Sequence, residues 1–353
     1  MRGRIAGIGM TSLSRASGRT ELALAVEAAE LACADAGLDP REIDALLSYH
    51  LNDSAPVVQV ARALRIDRLG WHNDISGGGT QAASVLGDAA MLIESGLARH
   101  VLVYRALNGR SGRRMNTVST GPQERFTIPY GMAGPIPMFA MAATRYLHDT
   151  GLAAEHLHAV VAQSRRNAAA NERALRRDPL TFEAYLDAPL VCSPLRTVDC
   201  CQETDGACAL VVSAALPGPR VHAVVRGGGP GCSAMDRSPD VTAVFSAYVA
   251  PMLWAASGMR PADVRAALLY DAYSWLVPRQ LEDFGLVGRP DLGAYLLAGR
   301  HAWVNPHGGL LSEGYVHGLN NVAQAVREVR AGAEVALVTG FGGSYGSAAL
   351  LTA

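Results

Sequence analysis

Apolar and polar residues follow one another in blocks that predict a helix, a short helical turn and a buried strand near the start of the chain. Residues 34–50 read ADAGLDPREIDALLSYH, where an Ala-rich helix stops at Gly37 and a turn of helix starts at Pro40. Glycine is common just past a helix end because it adopts the left-handed conformation without strain. The closing apolar run, ALLSYH, is typical of a strand buried in a sheet.

This pattern occurs twice. Residues 255–271 read AASGMRPADVRAALLYD and match residues 34–50 at a constant offset of 221 positions. A second pair of segments, 97–105 and 331–339, each gives a helix end followed by a buried strand. Internal repeats fix the architecture before any single motif does. The chain is therefore predicted to consist of two βαβ-rich halves.

The middle of the chain interrupts the repeat. Residues 115–195 are rich in Pro, Arg and Asn and predict an inserted loop domain over one face, where insertions often carry ligand contacts. The rest divides into the first part of the N-terminal half (1–114), its return (196–218) and the C-terminal half (219–353). Two mixed sheets with helices outside and between them would bury this much apolar sequence. We therefore expect a layered α/β fold.

Composition agrees with a multilayer protein and excludes several partners. Apolar residues make up 49% of the 353 residues and charged residues 18%, against roughly 25% charged residues in average soluble domains. A net charge of −1 gives no general attraction to nucleic acid or to an anionic membrane. The sequence has no signal-peptide pattern and no apolar run of about 20 residues, which a membrane helix needs. We expect a cytoplasmic protein.

The basic residues restrict the chemistry further. All 31 are arginines, so the chain offers no lysine for a Schiff base, for attachment of pyridoxal phosphate or for a P-loop. The six cysteines form no CxxC pair, and no histidine cluster has the spacing of zinc ligands. Neither a metal nor a resident cofactor is therefore predicted.

Three glycine-rich segments are candidates for the reactive site. Residues 73–81, NDISGGGTQ, precede a predicted helix, and small residues there let the main chain approach a ligand at a helix start that favours negative charge. Residues 304–309, VNPHGG, continue into LLSEGYVHG and bring an amide, two imidazoles and Tyr315 together. Residues 340–346, GFGGSYG, follow a buried strand and place Tyr345 among glycines.

Several segments in the same order resemble the thiolase superfamily over nearly the whole chain. They include IAGIGMTSLSR, YGMAGPIPMFAMAATRYLHDTG, PLRTVDCCQETDGACALVV, LLYDAYS and NPHGGLLSEGYVHG. The branch that these segments resemble most is the sterol-carrier or lipid-transfer type of thiolase. The resemblance implies a layered αβαβα arrangement of duplicated halves and a homodimer.

The chain departs from thiolases at all three reactive side chains. Ser76 stands where thiolases carry the nucleophilic Cys of a C-x-S-G turn. Tyr315 takes the position of the His in a G-H-P-x-G turn, with His317 displaced by two residues. The Cys-x-G-G-G turn of thiolases reads Gly340-Phe341-Gly342-Gly343 here, with Tyr345 shortly after it.

This replacement resembles the thiolase-like aldolases of steroid side-chain degradation. The resemblance implies retro-aldol cleavage of a β-hydroxyacyl-CoA, or the reverse addition, with CoA present only as part of the substrate. It also implies a complex with a separate acyl-CoA-binding protein built from a zinc ribbon and an OB fold. The acyl group, whether a steroid side chain or another thioester, stays open.

A retro-aldol reaction needs a base for the β-hydroxyl proton and donors for the enolate oxygen, but no covalent nucleophile. We predict Tyr315 or Tyr345 as the base, provided that the site lowers its pKa, with the other tyrosine protonating or orienting the enolate. Asn305, acting through a water, and the amides of Gly342 and Gly343 would line the oxyanion hole.

Other residues have two open interpretations. Asp271 and Tyr273, in the motif YDAYS, stand where thiolases carry a loop near the site and either orient or catalyse. His307 is either a site residue or a core histidine. The arginine-rich run 105–114 either meets the CoA phosphates or forms a solvated loop or subunit contact.

Two alternatives to the aldolase stay open at this point. One is a Claisen or acyltransferase enzyme that uses Ser76 as its nucleophile, although no nearby sequence feature marks a base for that hydroxyl. The other is a non-catalytic thiolase-like subunit that only binds an acyl-CoA.

Overall fold

The structure is a computed structural model, and it describes residues 3–112, 124–230 and 238–353. Arg113 and Arg114, the end of the arginine-rich run, lie outside the described residues, as does Cys232. No helix within the described ranges is both long and apolar enough to cross a membrane.

Strands and helices alternate through most of the chain. The strands are β1 (Arg4–Met10), β2 (Ala45–His50), β3 (Trp71–Ser76), β4 (His100–Asn108), β5 (Leu190–Cys192), β6 (Leu195–Arg196), β7 (Asp205–Ser213), β8 (Arg220–Gly228), β9 (Ala266–Leu268), β10 (Val335–Phe341) and β11 (Tyr345–Thr352). The helices are α1 (Glu21–Ala36), α2 (Val57–Ala63), α3 (Gln81–Glu94), α4 (Glu124–Thr127), α5 (Ile136–Thr150), α6 (Ala154–Ala168), α7 (Phe182–Asp187), α8 (Phe245–Ser257), α9 (Leu276–Asp283), α10 (Leu292–Leu297), α11 (Gly309–Ser312) and α12 (Leu319–Arg330).

Within the described residues, nine strands form one mixed sheet in the order β3-β2-β4-β7-β1-β8-β11-β10-β9. The two halves of this sheet meet at a single register pair, Arg4 of β1 with Arg220 of β8. Strand β2 runs parallel to β3 and β4, and β9 runs parallel to β10, whereas the pairs in the middle of the sheet are antiparallel. The sheet is thus two mixed halves joined at a narrow seam.

Helices cover both halves and fill the space between them. Helices α3 and α12 share one apolar core with strands of both halves, as the contacts of Leu86 and Val322 show. Helix α1 covers the outer face of the first half through Leu24, and α8 covers the outer face of the second half through Val249. Successive strand residues point to opposite faces, so Leu337 belongs to the outer core and Val338 to the inner one. The predicted αβαβα layering is confirmed.

The predicted repeat is also present in the structure. Helices α1 and α8 both end at a glycine in the left-handed conformation, Gly37 and Gly258, each with φ of 69°. A short 3₁₀ turn follows in each copy, at Pro40–Glu42 and Pro261–Asp263, and then β2 or β9. The glycine is needed at both places because other residues are strained at this φ.

Helices α4 to α7 and the hairpin β5–β6 form an inserted segment between β4 and β7 of the first half. Helix α6 packs against α10 and α11 of the second half. Phe139 of α5 contacts the rings of Tyr273 and Phe341, at centroid distances of 5.2 and 4.9 Å. The insertion therefore lies against the part of the second half that carries two of the candidate segments.

Candidate active site

The first and third glycine-rich segments pack directly against each other. A Cβ on Gly342 would overlap the Thr80 side chain at the start of α3, and a Cβ on Gly340 would press on the Gly79 carbonyl. The Ser347 hydroxyl donates to the Thr80 carbonyl over 2.6 Å. The start of α3 is thus fixed against the hairpin β10–β11.

The hairpin itself uses one of the amides expected in the oxyanion hole. The Gly342 N–H donates to the Tyr345 carbonyl over 3.1 Å and closes the turn. Gly343, with φ of 94°, accepts a hydrogen bond at its carbonyl from the Phe245 amide. The Gly342 amide therefore closes the turn, and a role of the Gly343 amide in the oxyanion hole stays a prediction.

Two buried tyrosines meet at this junction. The hydroxyls of Tyr270 and Tyr315 are 2.7 Å apart, and their rings are nearly perpendicular at 85°. The Tyr270 hydroxyl lies against Gly79, so that a Cβ at residue 79 would overlap it. The main-chain amide of Tyr270 donates to the Thr339 hydroxyl, and that of Tyr315 donates to the Thr204 hydroxyl. The pair therefore sits beside the turn that begins α3.

Burial decides the protonation of this pair. It raises the pKa of Tyr315 well above the ordinary 10 and does the same to the pKa of Tyr270. Neither hydroxyl ionises near neutral pH, so both act as hydrogen-bond donors and acceptors. The lowered pKa that a tyrosinate base requires is therefore not found at Tyr315.

Tyr345 occupies a more open position at the start of β11. It is 37% exposed and pairs with Gly228 of β8. Residues two apart on a strand share a face, so Tyr345 lies on the same face as Ser347, whose hydroxyl reaches the start of α3. The ring of Tyr248, from α8, lies over the next glycine, Gly229.

His317 is held by Arg105, a buried side chain that also pairs with the partly exposed Asp53. Its Nδ1 lies 3.0 Å from Nε and 2.7 Å from Nη2 of Arg105, and Nη2 also contacts the Asp53 carboxylate at 2.7 Å. A Cβ on Gly78 would be 3.5 Å from the His317 Nε2. Arg105 is fully buried, so this member of the arginine-rich run faces the site and not a solvated loop.

Ser76 lies at the exposed end of β3, without an evident general base. Its register partner in β2 is His50, but both ring nitrogens of His50 have other contacts. Nδ1 accepts from the Asn52 amide over 3.2 Å, and Nε2 lies 3.4 Å from the Asp74 carboxylate. Within the described ranges, no histidine or carboxylate hydrogen-bonds the Ser76 hydroxyl.

Asn305 and Asp271 connect two elements beneath the tyrosine pair. The Asn305 amide donates to the Leu269 carbonyl over 2.9 Å. The buried Asp271 carboxylate accepts from the Leu310 amide over 2.8 Å, and burial raises its pKa to about 7. A Cβ on Gly309 would overlap this carboxylate. These contacts fix the end of β9 to the start of α11, and a substrate contact of Asn305 stays a prediction.

Tyr273 and His307 have apolar or internal surroundings. The Tyr273 ring packs on Phe139, and burial raises its pKa. His307 Nε2 lies 3.1 Å from the Asn321 side-chain oxygen and 3.6 Å from the Glu313 carboxylate. Burial lowers the pKa of His307 and keeps it neutral. The structure thus favours the interpretation of His307 as a core histidine.

A basic cavity of about 440 Å³ opens next to this site. It is lined by Arg15, Arg110, Ile136, Arg176, Val191, Thr197, Cys200, Cys201, Gln202 and Glu203. Cys201, which lines this cavity, is connected to the site, because its main-chain amide donates to the Ala272 carbonyl over 2.8 Å. The cavity therefore adjoins the segment that carries Tyr270 and Tyr273.

Among the described residues that line this cavity, three are arginines and one, Glu203, carries a carboxylate. Arg110 lies 3.9 Å from Glu203, and Arg15 reaches only the Gln202 amide oxygen at 3.5 Å. Nη1 of Arg176 is buried, and among the described residues it has no hydrogen-bond partner. Burial together with the charges of Arg165 and Arg15 lowers the pKa of Arg176 to about 10.

Comparison with known proteins decides the family. The C-terminal part, residues 231–352, matches a family model described as "Thiolase C-terminal domain-like". A 17-hydroxy-3-oxo-4-pregnene-20-carboxyl-CoA lyase of Mycobacterium tuberculosis is 38% identical over 95% of this chain and 95% of its own length. This chain belongs to the thiolase-like carbon–carbon lyases. A steroid side-chain-cleaving aldolase of Thermomonospora curvata is 36% identical, over 92% of this chain and 90% of its own.

Solved structures agree with this placement in the thiolase-like lyases. A structure named "Ltp2-ChsH2(DUF35) aldolase" superposes with a TM-score of 0.91 at 35% identity, over 99% of this chain and 97% of that one. Human mitochondrial 3-ketoacyl-CoA thiolase gives a TM-score of 0.76 at 15% identity, covering 99% of this chain and 98% of its own, and supports the fold alone. The predicted resemblance and fold class are confirmed.

Sequence reasoning found Tyr315, Ser76 and His317 but missed Tyr270. The motif YDAYS points to Asp271 and Tyr273, whereas its first residue, Tyr270, makes the hydroxyl contact with Tyr315. The available signal was position, because Tyr270 follows shortly after the buried strand β9. Asp53 gave no signal, since its contact with Arg105 spans distant segments.

We predict that Gly79→Ala displaces the Tyr270 hydroxyl, because the added Cβ would occupy its place. Such overpacking should lower the free energy of unfolding by about 1–3 kcal/mol, measured by urea denaturation. Gly70→Ala is the control, since its Cβ meets its nearest neighbour at an ordinary 3.4 Å. Equal stability of the two variants would contradict the described packing.

Proposed function

We propose that the chain catalyses retro-aldol cleavage of a β-hydroxyacyl-CoA, or the reverse addition, without an acyl-enzyme. One observation carries this proposal. The hydroxyl pair of Tyr270 and Tyr315 lies on Gly79, beside the turn whose first residue is Ser76 and not the thiolase Cys. The relatives named as lyase and aldolase support the same reaction class.

The reaction needs one base and several donors. The base removes the proton of the β-hydroxyl, and the oxygen electron pair forms the new carbonyl as the Cα–Cβ bond breaks. The electrons of that bond pass to the thioester, which becomes an enolate. The enolate then takes a proton at Cα and leaves as a shorter acyl-CoA. Hydrogen bonds that strengthen as the enolate oxygen gains charge stabilise the transition state.

The two tyrosines proposed from the sequence take different parts in this scheme. Tyr345 relays the β-hydroxyl proton: its oxygen takes up that proton while its own phenolic proton passes to solvent water, which the 37% exposed side chain reaches. Tyr315 is the proton donor, because burial keeps it protonated and Tyr270 orients its hydroxyl. The Gly343 amide and His317 complete the set of donors for the thioester oxygen.

The basic cavity is the proposed site of the CoA phosphates. Guanidinium groups bind phosphate oxygens through paired, charge-assisted hydrogen bonds. Arg15, Arg110 and Arg176 line the cavity with a single lining carboxylate, Glu203. Of the arginine-rich run, Arg110 thus takes the role considered from the sequence, whereas Arg105 is engaged with His317.

Two partners belong to the proposal. The similar structure named "Ltp2-ChsH2(DUF35) aldolase" pairs an aldolase with a DUF35 protein and supports a complex with a separate acyl-CoA-binding protein. We expect that partner to combine a zinc ribbon with an OB fold. A homodimer through the sheets would pair the outer edge of β3, where Trp71 is 43% exposed, with a second copy. Co-purification tests the complex with the acyl-CoA-binding protein, and light scattering tests the homodimer. A chain that does not co-purify with that protein and has the mass of a monomer would contradict both.

The geometry does not favour Ser76 as a nucleophile. A serine hydroxyl needs an adjacent base, and the nearest histidine in register, His50, contacts Asp74 and the Asn52 amide instead. A purely binding subunit would not require the pair of hydroxyls that Tyr270 and Tyr315 place beside this turn.

We predict that Tyr315→Phe and Tyr345→Phe each lower kcat on a β-hydroxyacyl-CoA by about 10²-fold or more, as loss of an acid or base does. Tyr270→Phe should cost about tenfold, since it removes one orienting hydrogen bond. Steady-state kinetics with the partner protein present measure these effects. Tyr130→Phe, at an 85% exposed position, is the control. Wild-type turnover by the double Tyr315/Tyr345 variant would contradict the mechanism.

We predict that Arg176→Gln raises KM for the CoA thioester about tenfold, because one charge-assisted hydrogen bond is lost, and leaves kcat unchanged. The matched N-acetylcysteamine thioester lacks phosphates and should show no change. The neighbouring Arg177→Gln is the control, since Arg177 is exposed and does not line this cavity. Equal losses on both thioesters would show that Arg176 does not bind phosphate.

A further inference from the structure

We infer that Thr339 and Gln280 are positioning residues, which hold the main chain of Tyr270 in a closed ring of hydrogen bonds and so set its hydroxyl against that of Tyr315. Their effect on the Tyr270 hydroxyl is a property of the fold. Their effect on turnover rests on the proposed aldolase function, in which the pair of hydroxyls takes part.

The ring takes up both main-chain polar groups of Tyr270. The Tyr270 amide donates to the Thr339 hydroxyl over 2.8 Å, and the Tyr270 carbonyl accepts from the side-chain amide of Gln280 over 3.0 Å. The Thr339 hydroxyl donates in turn to Gln280 Oε1 over 2.6 Å and closes the ring. All three residues are buried, and hydrogen bonds in such surroundings are stronger than in water.

The donors and acceptors of the ring fit together in one direction. A threonine hydroxyl has a single proton, and that of Thr339 points to Gln280 Oε1 because the hydroxyl oxygen accepts from the Tyr270 amide. Gln280 Nε2 has two protons and donates them to the Tyr270 and Leu276 carbonyls, at 3.0 and 2.9 Å. A reversed amide would place its oxygen against two carbonyls. The Gln280 side chain is therefore held in one orientation, and it fixes the Tyr270 main chain in turn.

The ring begins where the pairing of β9 with β10 ends. The register of these two parallel strands runs as far as Leu268 and Val338. Thr339 is the next residue of β10, whereas Tyr270 lies two residues beyond the end of β9. Beyond the paired residues, the side chains of Thr339 and Gln280 bind the main-chain groups of Tyr270. The position of Tyr270 thus depends on two side chains that substitution can change.

The ring also connects the two groups proposed to transfer protons. Thr339 pairs with Ala348 in the hairpin of β10 and β11, and β11 begins with Tyr345, the proposed relay. On the other side of the ring, the Tyr270 hydroxyl lies 2.7 Å from that of Tyr315, the proposed donor. A shift of Tyr270 would therefore misplace the donor relative to the relay. Misplacement of catalytic groups by about 1 Å can lower a rate by about 10²-fold.

Thr339→Val removes the hydroxyl with little change in shape, and it should lower kcat on a β-hydroxyacyl-CoA about tenfold, with KM unchanged, because the pair loses an orienting contact. Thr339→Ser keeps the hydroxyl and should restore kcat to within about twofold of the wild type. Thr11→Val is the matched control, since the buried Thr11 hydroxyl also accepts from a main-chain amide, that of Ala207 over 2.9 Å. Steady-state kinetics with the partner protein measure these effects. Equal kcat in the two valine variants, or no rescue by serine, would overturn the inference.

A double-mutant cycle tests whether the ring acts through the Tyr270 hydroxyl. Substitutions that disturb the same contact have effects that do not add. Thr339→Val should therefore lower kcat by less than about twofold in the Tyr270→Phe background, against about tenfold in the wild type. Gln280→Met has a similar length but no N–H donor, and it takes the place of Thr339→Val in the cycle if that variant does not fold. Equal losses in the two backgrounds would show that the ring does not act through this hydroxyl and would overturn the inference.

Carbon-13 NMR of the tyrosine ring carbon that bears the hydroxyl separates this inference from the proposed function, because it needs no turnover. The Tyr270 signal, assigned with the Tyr270→Phe variant, should move in Thr339→Val and stay in place in Thr11→Val. An unmoved signal in Thr339→Val would overturn the inference. If the signal moves but the wild type with its partner turns over no β-hydroxyacyl-CoA, the aldolase proposal fails and the positioning of Tyr270 by Thr339 stands.

Discussion

The close approach of the Tyr270 hydroxyl to Gly79 is the constraint on which the site depends. It joins the end of β9 to the start of α3, and together with the contacts of the β10–β11 hairpin on α3 it connects the two halves of the duplicated fold. Tyr315 then completes the pair through a 2.7 Å hydroxyl contact. A larger residue at Gly79 would separate these elements, because its Cβ would overlap the Tyr270 hydroxyl.

Burial divides the work between the two tyrosines that the sequence had left equivalent. Tyr315 is enclosed by Tyr270, His317 and the core, and its raised pKa suits a donor. Tyr345 is more than one-third exposed, which suits proton exchange with solvent. In the proposed mechanism His317 is also a donor, because burial and the neighbouring guanidinium lower its pKa and keep the imidazole neutral. Low dielectric surroundings strengthen each of these hydrogen bonds.

The sequence allowed the fold to be predicted because its signals are local and repeated. Gly37 and Gly258 end helices for the same backbone reason, and the strands that follow are almost completely buried. Tyr315 and Ser76 could be located because they replace reactive residues at fixed positions in glycine-rich turns. The candidate site was therefore found in outline from motifs alone.

The contacts that orient the site could not be predicted in the same way. Arg105 reaches His317 across 212 positions, and nothing in the arginine-rich run distinguishes it from Arg110, which lines the basic cavity. Asn305 stays a predicted residue of the oxyanion hole, but the sequence did not show that its side-chain amide donates to the Leu269 carbonyl. Such pairings depend on how distant segments fold together, so they follow from the tertiary structure.

The central claim is that carbon–carbon cleavage proceeds without a covalent intermediate, and mass spectrometry of the intact enzyme during turnover tests it most directly. The account predicts an unmodified chain during steady-state cleavage of a β-hydroxyacyl-CoA, and near wild-type turnover by Ser76→Ala. An acyl adduct on Ser76 that forms and decays at the rate of turnover, together with an inactive Ser76→Ala variant, would contradict it.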